Sequence, residues 1–331
     1  MPFPVEPQFE DERGLFVVED PFLRSTILPL FSFDPDDAQQ RPLGHGTTFR
    51  VDPWRGCATA FHVIEDLLKA KHGAVVLRDD IRLVALEVPP ITYGSMPATP
   101  DCWKPFKGMA SLGGIHSPPF EEPRVMNMTE LAAIQIDPPK DPEYSQSFLP
   151  LDARWTPRIG ERVMALGFAD LDLDVREEGP DRAIQQYLYG SIGTIFEATP
   201  VNSSSSRPWP TFRVEAEWPG GMSGGPVFNE TGHVVGLVST GIVGEGIGTA
   251  TPFAGWNVAE RMFPTVDLIN PGRLRCWIAF DADDNIIAAA RTEEDLRQGA
   301  MAASVAQVQF ASFHPVSGDY NSIDLPIPTS R

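Results

Sequence analysis

Proline and glycine interrupt this chain at short intervals along most of its length. The sequence contains 33 prolines and 28 glycines, with short apolar runs between them. Because both residues break helices and favour turns, this spacing predicts short strands joined by turns rather than long helices. Apolar residues make up 42% of the 331 residues, so the chain can bury a substantial core.

The strand-like runs form two groups, separated by a proline-rich connector at 137–150. The first group lies at 25–33, 46–51, 74–77, 81–88 and 131–136, and the second at 162–167, 186–196, 211–214, 226–228, 234–239 and 249–251. We therefore expect two domains of similar size, at 21–145 and 146–260. Residues 1–20 are predicted to be a loosely attached N-terminal arm, and residues 89–125, rich in proline and glycine, to be loops.

Residues 261–331 differ from the two strand-rich halves and are predicted to be a small α+β extension. The runs at 276–280 and 286–290 can pair as a hairpin across a polar turn. A helix is expected to begin at Thr292, because Asp295 stands three residues later, in an arrangement similar to a capping box. The role of this extension is left open.

The formal net charge of −19 argues against nucleic acid or an anionic membrane as a partner, because phosphate contacts require clusters of Lys and Arg. The three cysteines and six histidines lack the spacing of a disulfide framework or a metal site, so neither metal nor cofactor is expected. The first residues do not form a basic region followed by an apolar run, and no apolar run is long enough to cross a bilayer. We therefore expect a cytoplasmic location.

The most specific motif is the glycine-rich stretch at 219–227, Pro-Gly-Gly-Met-Ser-Gly-Gly-Pro-Val, which contains Ser223. A reactive serine needs an exposed hydroxyl and nearby backbone N–H groups, and flanking glycines let the backbone turn tightly enough to supply them. A glycine-rich turn with an incidental serine is the simpler alternative. The nucleophile elbow of α/β-hydrolases is disfavoured, because the residues that follow read as strand, turn and strand, and only His233 and His314 lie downstream.

Several ordered segments besides the serine motif make the chain resemble trypsin-like peptidases, particularly those of the bacterial Deg/HtrA type. The resemblance covers about residues 22–260 and rests on these segments: Gly-Thr-Thr-Phe at 46–49, Ala-Thr-Ala-Phe-His-Val at 58–63, Ile-Gly-Glu-Arg-Val-Met-Ala-Leu-Gly-Phe at 159–168, Gly-Ser-Ile-Gly at 190–193 and Gly-Ile-Gly-Thr-Ala-Thr-Pro at 246–252. It implies a mainly β fold of two six-stranded antiparallel β-barrels of the chymotrypsin type. No peptide-binding PDZ domain is recognisable after residue 260.

The same resemblance implies a catalytic triad and an oxyanion hole. Ser223 would be the nucleophile and His62 the general base. Glu130 stands where the family has aspartate, although Asp137 or Asp101 could fill that role instead. The backbone N–H groups of Gly221 and Ser223 would form the oxyanion hole. Met222 replaces the aspartate that pancreatic relatives use in zymogen activation, so activation by a freed amino terminus is not expected.

The substrate-binding residues implied by the resemblance are Glu217, Ser239, Thr240, Gly241 and Thr249. The segment Ser239-Thr240-Gly241 would pair with an extended substrate as an added strand, and the pocket is expected to take small or medium side chains. The predicted function is a serine endopeptidase that acts on proteins or peptides, with a regulatory protein as a further partner. A catalytically weak binding or scaffold protein on the same fold, and an esterase using the same triad, are the alternatives.

Overall fold

The computed structural model describes most of the chain in twelve stretches. They are residues 3–7, 9–37, 42–87, 102–117, 119–120, 123–139, 143–171, 187–201, 208–242, 246–254, 262–299 and 305–324.

The amino-terminal part of the chain, up to residue 136, contains nine strands and two short helices within the described stretches. They are β1 (Leu15–Val17), α1 (Pro21–Thr26), β2 (Ile27–Phe33), β3 (Leu43–Arg50), β4 (Gly56–Ala60), α2 (Phe61–Glu65), β5 (Leu68–Lys71), β6 (Ala74–Leu77), β7 (Arg82–Leu86), β8 (Trp103–His116) and β9 (Arg124–Ile136).

Six of these strands close into the first barrel, in the order β2-β3-β4-β9-β8-β7, with β7 pairing back to β2. All pairings are antiparallel, and the inward-facing side chains, such as Phe31, Phe49 and Ile134, are buried. The loop prediction for 89–125 includes residues 89–101, which lie outside the described part of the chain. It was wrong for 124–125, where β9 begins, and for 103–116. That segment forms β8 despite its proline and glycines, because its backbone pairs with β9 along most of its length.

The second half supplies β10 (Arg162–Gly167), β11 (Tyr189–Thr199), β12 (Thr211–Glu215), β13 (Pro226–Phe228), β14 (Val234–Ile242) and β15 (Ile247–Pro252). These strands pair in the order β11-β10-β13-β14-β15-β12, and β12 returns to β11, so the second barrel also closes with six strands.

The N-terminal residues are more firmly attached than predicted. Strand β1 pairs antiparallel with β11, so that it lies on the outside of the second barrel as a seventh strand of that sheet. Its residues Leu15 and Phe16 are buried, as is Phe3. The expectation of a loosely attached arm was therefore wrong, because these apolar side chains lose contact with water only when the segment docks on the barrel.

The carboxy-terminal extension is a four-stranded sheet with one helix. Its elements are β16 (Leu274–Phe280), β17 (Ile286–Ala290), α3 (Glu293–Gly299), β18 (Gln307–Phe313) and β19 (Tyr320–Ser322), and the strand order is β17-β16-β18-β19. The predicted hairpin is confirmed by the pairing of β16 with β17. The predicted helix start is confirmed as well, since Thr292 Oγ1 accepts the Asp295 N–H at 3.0 Å.

The extension packs on the first barrel and the connector rather than standing apart. Its apolar face contacts Trp54 and Phe148, and the Thr265 hydroxyl donates to Asp52 Oδ2 at 2.6 Å in a buried contact. The predicted fold class, a mainly β protein of two six-stranded antiparallel barrels with a small α+β extension, is thus confirmed. None of the helices within the described stretches is long and apolar enough to span a membrane.

Candidate active site

His62 and Glu130 meet at one edge of the first barrel. His62 is the second residue of α2, directly after β4, and Glu130 lies in β9, which pairs with β4. The His62 Nδ1–H donates to Glu130 Oε1 at 2.5 Å. The Glu130 side chain is only 2% exposed, whereas that of His62 is 30% exposed. With Nδ1 acting as donor to the carboxylate, the other ring nitrogen, Nε2, is left as a proton acceptor.

The glutamate reaches the histidine because β9 bulges at this point. Four residues of β9, 128–131, lie between Asn127 and Ala132, whose β8 partners Gly113 and Ser111 enclose a single residue. Within the bulge Glu130 adopts a left-handed backbone with φ +57°. Bulges commonly redirect a side chain in this way, and a positive φ outside glycine is uncommon enough to suggest a functional constraint.

Asn127 braces this bulge with both atoms of its side-chain amide. Its Oδ1 accepts the backbone N–H groups of Thr129 at 3.2 Å and Glu130 at 2.9 Å. Its Nδ2 donates to Glu130 Oε2 at 2.6 Å. One side chain therefore holds both the backbone and the carboxylate of Glu130.

Ser239 connects the acid with Ser223. The Ser239 hydroxyl donates to Glu130 Oε1 at 2.7 Å in a buried contact, and the Ser239 carbonyl accepts the Ser223 hydroxyl at 3.0 Å. The structure thus brings the three residues His62, Glu130 and Ser223 into one hydrogen-bonded cluster. In this conformation the Ser223 hydroxyl donates to Ser239 rather than to His62.

The turn before Ser223 exposes two backbone donors. Among the described residues, neither the Gly221 N–H nor the Ser223 N–H has an acceptor. The Gly220 carbonyl is held by the Asp170 N–H at 2.7 Å, and because the peptide is trans the Gly221 N–H points the opposite way. Gly221 has φ +91°, and a Cβ there would lie 2.3 Å from the Phe168 carbonyl oxygen, so only glycine fits.

Thr47 of the first barrel fixes this turn against the second. Its N–H donates to the Ser223 carbonyl at 2.8 Å, and its hydroxyl donates to the Gly221 carbonyl at 2.7 Å and accepts the Phe168 N–H at 3.0 Å. Thr47 is fully buried. Because both barrels contribute to these bonds, the position of Ser223 relative to His62 depends on how the barrels pack together.

The alternative acids differ in where they lie. Asp137 forms ion pairs with Arg55, at 3.1 Å, and with Lys107, at 3.4 Å, on the surface of the first barrel, and it does not contact His62. Asp101 lies outside the described residues. Within the described part of the chain, Glu130 is the carboxylate bonded to the His62 imidazole.

The electrostatics of the cluster favour an ionised Glu130. Burial opposes ionisation, but hydrogen bonds from His62, Ser239 and Asn127 and the charge of His62 outweigh it and lower the pKa of Glu130. A second carboxylate, Glu65, lies nearby on α2. Burial raises the pKa of Glu65, and the charge of Glu130 adds to that shift.

Of the predicted substrate-binding residues, Ser239 contacts Ser223 directly. Ser239, Thr240 and Gly241 belong to β14, and on one side they pair with β15, where Thr240 lies opposite Thr249. On the other side, β13 pairs with β14 only up to Leu237, so among the described strands the second edge of 239–241 carries no partner.

Trp218, in the loop that precedes Ser223, fills part of the space between that loop and β15. Glu217, the predicted pocket residue, precedes it and is half-buried. Trp218 itself is buried, and its ring lies over Gly248 so closely that a Cβ there would be 2.3 Å from a ring atom. Its indole N–H has no acceptor among the described residues.

Three residues of this region were not singled out from the sequence. Asn127 could have been found by its position, three residues before Glu130, where an amide can cap a turn. Asp170 and its partner Arg13 carry no local signal, because 157 residues separate them in the chain. Within the described stretches, no group of three His, Cys, Asp or Glu side chains is placed to hold a metal ion.

Two closed antiparallel barrels, with the glycine-rich turn that carries Ser223 lying between them, define the chymotrypsin type of fold. The profile of the trypsin-like peptidase domain matches residues 46–237, which is more than half of the chain. The chain therefore belongs to the trypsin-like peptidase family.

Solved structures with a similar fold include two proteases. The protease Anisep from Arthrobacter nicotinovorans is 13% identical, with a TM-score of 0.44, over 72% of this chain and 94% of that one. The HtrA-type protease AlgW, solved with a decapeptide, is 15% identical, also with a TM-score of 0.44, over 91% of this chain and 80% of that one. No curated protein sequence matches this chain significantly.

Proposed function

We propose that this protein is a serine endopeptidase with Ser223 as nucleophile, His62 as general base and Glu130 as the orienting acid. The observation that carries the proposal is the cluster in which buried Glu130 accepts both the His62 Nδ1–H and the Ser239 hydroxyl, while Ser239 contacts Ser223. A packed histidine with no catalytic role would not need a strained, buried carboxylate at 2.5 Å from its ring.

In the acylation step, His62 Nε2 takes the Ser223 proton as Oγ forms a bond to the substrate carbonyl carbon. The carbonyl oxygen becomes an oxyanion, which the N–H groups of Gly221 and Ser223 stabilise. The C–N bond then breaks, and His62 returns the proton to the departing amine. Glu130 keeps the imidazole in the required tautomer and stabilises its protonated form.

Deacylation repeats these movements with water. His62 takes a proton from the water as the water oxygen bonds to the acyl carbon. The new oxyanion accepts hydrogen bonds from the same two N–H groups. When the ester bond to Ser223 breaks, the proton passes to Oγ and the carboxylic acid product leaves.

The substrate is proposed to bind as an extended strand along 239–241, where the second edge of β14 is open. Trp218 over Gly248 supports a pocket for small or medium side chains, because a large one would meet the indole. Glu217 precedes Ser223 by the number of residues at which trypsins select Arg or Lys, but we do not propose that preference. A peptide-library cleavage profile dominated by Arg, Lys or Phe would overturn the preference for small or medium side chains.

A scaffold protein is the second candidate, and one observation favours it. The Ser223 hydroxyl donates to the Ser239 carbonyl and so is not bonded to the base. A serine held permanently in this way would be a weak nucleophile.

Labelling with a fluorophosphonate probe separates the two candidates. We expect the wild-type protein to be labelled, Ser223→Ala to be unlabelled, His62→Ala to be labelled far more slowly, and Ser317→Ala, a surface control, to match wild type. Absence of labelling in the wild type would refute the endopeptidase and favour the scaffold. Comparing a peptide with the corresponding ester then tests for an esterase, which would cleave only the ester.

A further inference from the structure

The N-terminal segment places the guanidinium of Arg13 against the second barrel. Residues 11–14 form a tight turn, in which the Gly14 N–H donates to the Asp11 carbonyl at 2.9 Å. Asp11 Oδ1 accepts the N–H groups of Arg13 and Leu15, both at 2.9 Å. Strand β1 then continues from Leu15 along β11. The Arg13 backbone is thus anchored on both sides, and its side chain extends from a rigid base.

Arg13 forms an ion pair with Asp170, which lies just after β10. The Arg13 Nη1 to Asp170 Oδ2 distance is 2.7 Å, and the two side chains are 37% and 29% exposed. This hydrogen bond raises the pKa of Arg13. Asp11 Oδ2, at 3.4 Å from Arg13 Nε, adds a weaker contact on the other side of the guanidinium.

Asp170 is the residue that orients the oxyanion turn. Its side chain pairs with Arg13, while its own N–H donates to the Gly220 carbonyl at 2.7 Å. Asp170 has a left-handed backbone with φ +57°, a conformation that non-glycine residues seldom keep without support. If it relaxed, the Gly220 carbonyl would lose its donor. The Gly220–Gly221 peptide, flanked by glycine, could then rotate and turn its carbonyl into the oxyanion hole.

We infer that Arg13 is a positioning residue for the oxyanion hole, acting through Asp170 and the Gly220 carbonyl. The inference rests on the proposed endopeptidase function. It places control of the catalytic turn in an ion pair between Arg13, which precedes the matched family region, and Asp170, which lies inside that region. Met222 stands where the zymogen type of control would need an acid, so control of that type is not expected. Anything that lifts residues 11–17 from β11 would lower activity without touching the catalytic residues.

The size of the effect follows from the exposure of the pair. A partly exposed ion pair shifts an equilibrium by about two- to fivefold, which is less than the roughly 100-fold or greater loss on removing an oxyanion donor altogether. Arg13→Met should therefore lower kcat about two- to fivefold, with little change in KM. The ratio of the wild-type kcat to the kcat of Arg13→Met should fall as salt rises to about 1 M, because the screening length is then only about 3 Å.

The test compares Arg13→Met, Asp170→Asn, the double variant and the charge-swapped pair Arg13→Asp with Asp170→Arg. Asparagine also tolerates the left-handed backbone, so Asp170→Asn removes the charge while keeping the local conformation. The control is Arg297→Met, which removes a similar exposed ion pair, with Glu293 at 2.6 Å, in the extension. Each variant is assayed for kcat, for KM and for hydrogen exchange of the peptide covering 218–225.

We expect both single variants to lower kcat and to speed exchange at 218–225. The double variant should be no worse than either single variant, and the charge swap should recover at least part of the loss. If Arg13→Met matches Arg297→Met in both measurements, the inference is wrong. If wild type hydrolyses no peptide but exchange at 218–225 still responds to Arg13→Met, the proposed function fails while the structural coupling stands.

Discussion

Glu130 is surrounded by donors, so replacing it with its own amide must create a conflict. The His62 Nδ1–H and the Ser239 hydroxyl point at Oε1, and the Asn127 amide N–H points at Oε2, at 2.6 Å. Asn127 cannot simply rotate its amide, because its Oδ1 holds the N–H groups of Thr129 and Glu130. In the Glu130→Gln variant, the new side-chain NH₂ therefore faces a donor whichever way the amide is turned, and it finds no acceptor.

The less costly orientation of the new amide turns its NH₂ toward Asn127, where it meets one donor instead of two. His62 then keeps an oxygen acceptor but loses the negative charge that stabilises its protonated form. Replacing the acid of a serine protease triad with its amide, which affects both the charge and the imidazole tautomer, lowers kcat by about 10⁴-fold, or about 5.5 kcal/mol at 1.36 kcal/mol for each factor of ten. We expect kcat/KM of Glu130→Gln to fall by about 10³- to 10⁴-fold.

A second substitution should restore part of this loss. In Glu130→Gln combined with Asn127→Asp, the new carboxylate at 127 accepts the amide NH₂ and still accepts the two backbone N–H groups. A hydrogen bond to a charged group is worth about 1.5–3 kcal/mol, so the double variant should be about tenfold or more faster than Glu130→Gln. Asn127→Asp alone should be slow, because it places two carboxylates against each other.

The assay is kcat/KM on a peptide substrate, together with the rate of fluorophosphonate labelling, for wild type and the three variants. Thermal unfolding of each variant serves as the control for folding. A Glu130→Gln variant as active as wild type would show that Glu130 is not the acid. If the double variant and Glu130→Gln are both folded and have the same kcat/KM, then Asn127 does not hold the side chain at position 130.

Three further results are expected. Thr265→Val should lower the free energy of unfolding by about 1–3 kcal/mol in a urea titration, because it leaves buried Asp52 without its hydroxyl donor, and an unchanged midpoint would contradict the docking of the extension. Burial raises the pKa of Cys57 and Cys276 to about 12, so mass spectrometry should find neither alkylated at pH 8 until the protein is denatured. Because the pKa of Glu130 is lowered on folding, its ionisation stabilises the fold above its ordinary value of 4.5 and this contribution disappears as pH falls through the folded pKa. The stability difference between wild type and Glu130→Gln should therefore narrow at acid pH, and a constant difference from pH 7 to pH 3 would argue against an ionised Glu130.

The local pattern of the sequence was enough to predict a strand-rich chain and the glycine-rich turn that carries Ser223, whereas the candidate segment that carries His62 came from the resemblance to trypsin-like peptidases. Short apolar runs between prolines and glycines indicate strands, because these residues act on the backbone of their immediate neighbours. The glycines around Ser223 indicate a tight turn for the same reason, and the structure has such a turn, with two N–H groups that have no acceptor in the described part of the chain. The resemblance of ordered segments supplied the two barrels, which strand patterns alone leave undetermined.

The errors and omissions arose where distant segments meet. Strand β8 and strand β1 gain their structure from pairing with β9 and β11, and that stabilisation is invisible in their own composition. The bulge that turns Glu130 toward His62 depends on a register shift between two strands, and the Arg13–Asp170 ion pair joins residues that are 157 positions apart. Sequence alone therefore determined which residue types and turns are available, because those depend on neighbouring residues. Only the tertiary structure decided which acid meets the imidazole and what holds the oxyanion turn, because these contacts exist only after the barrels have closed and packed together.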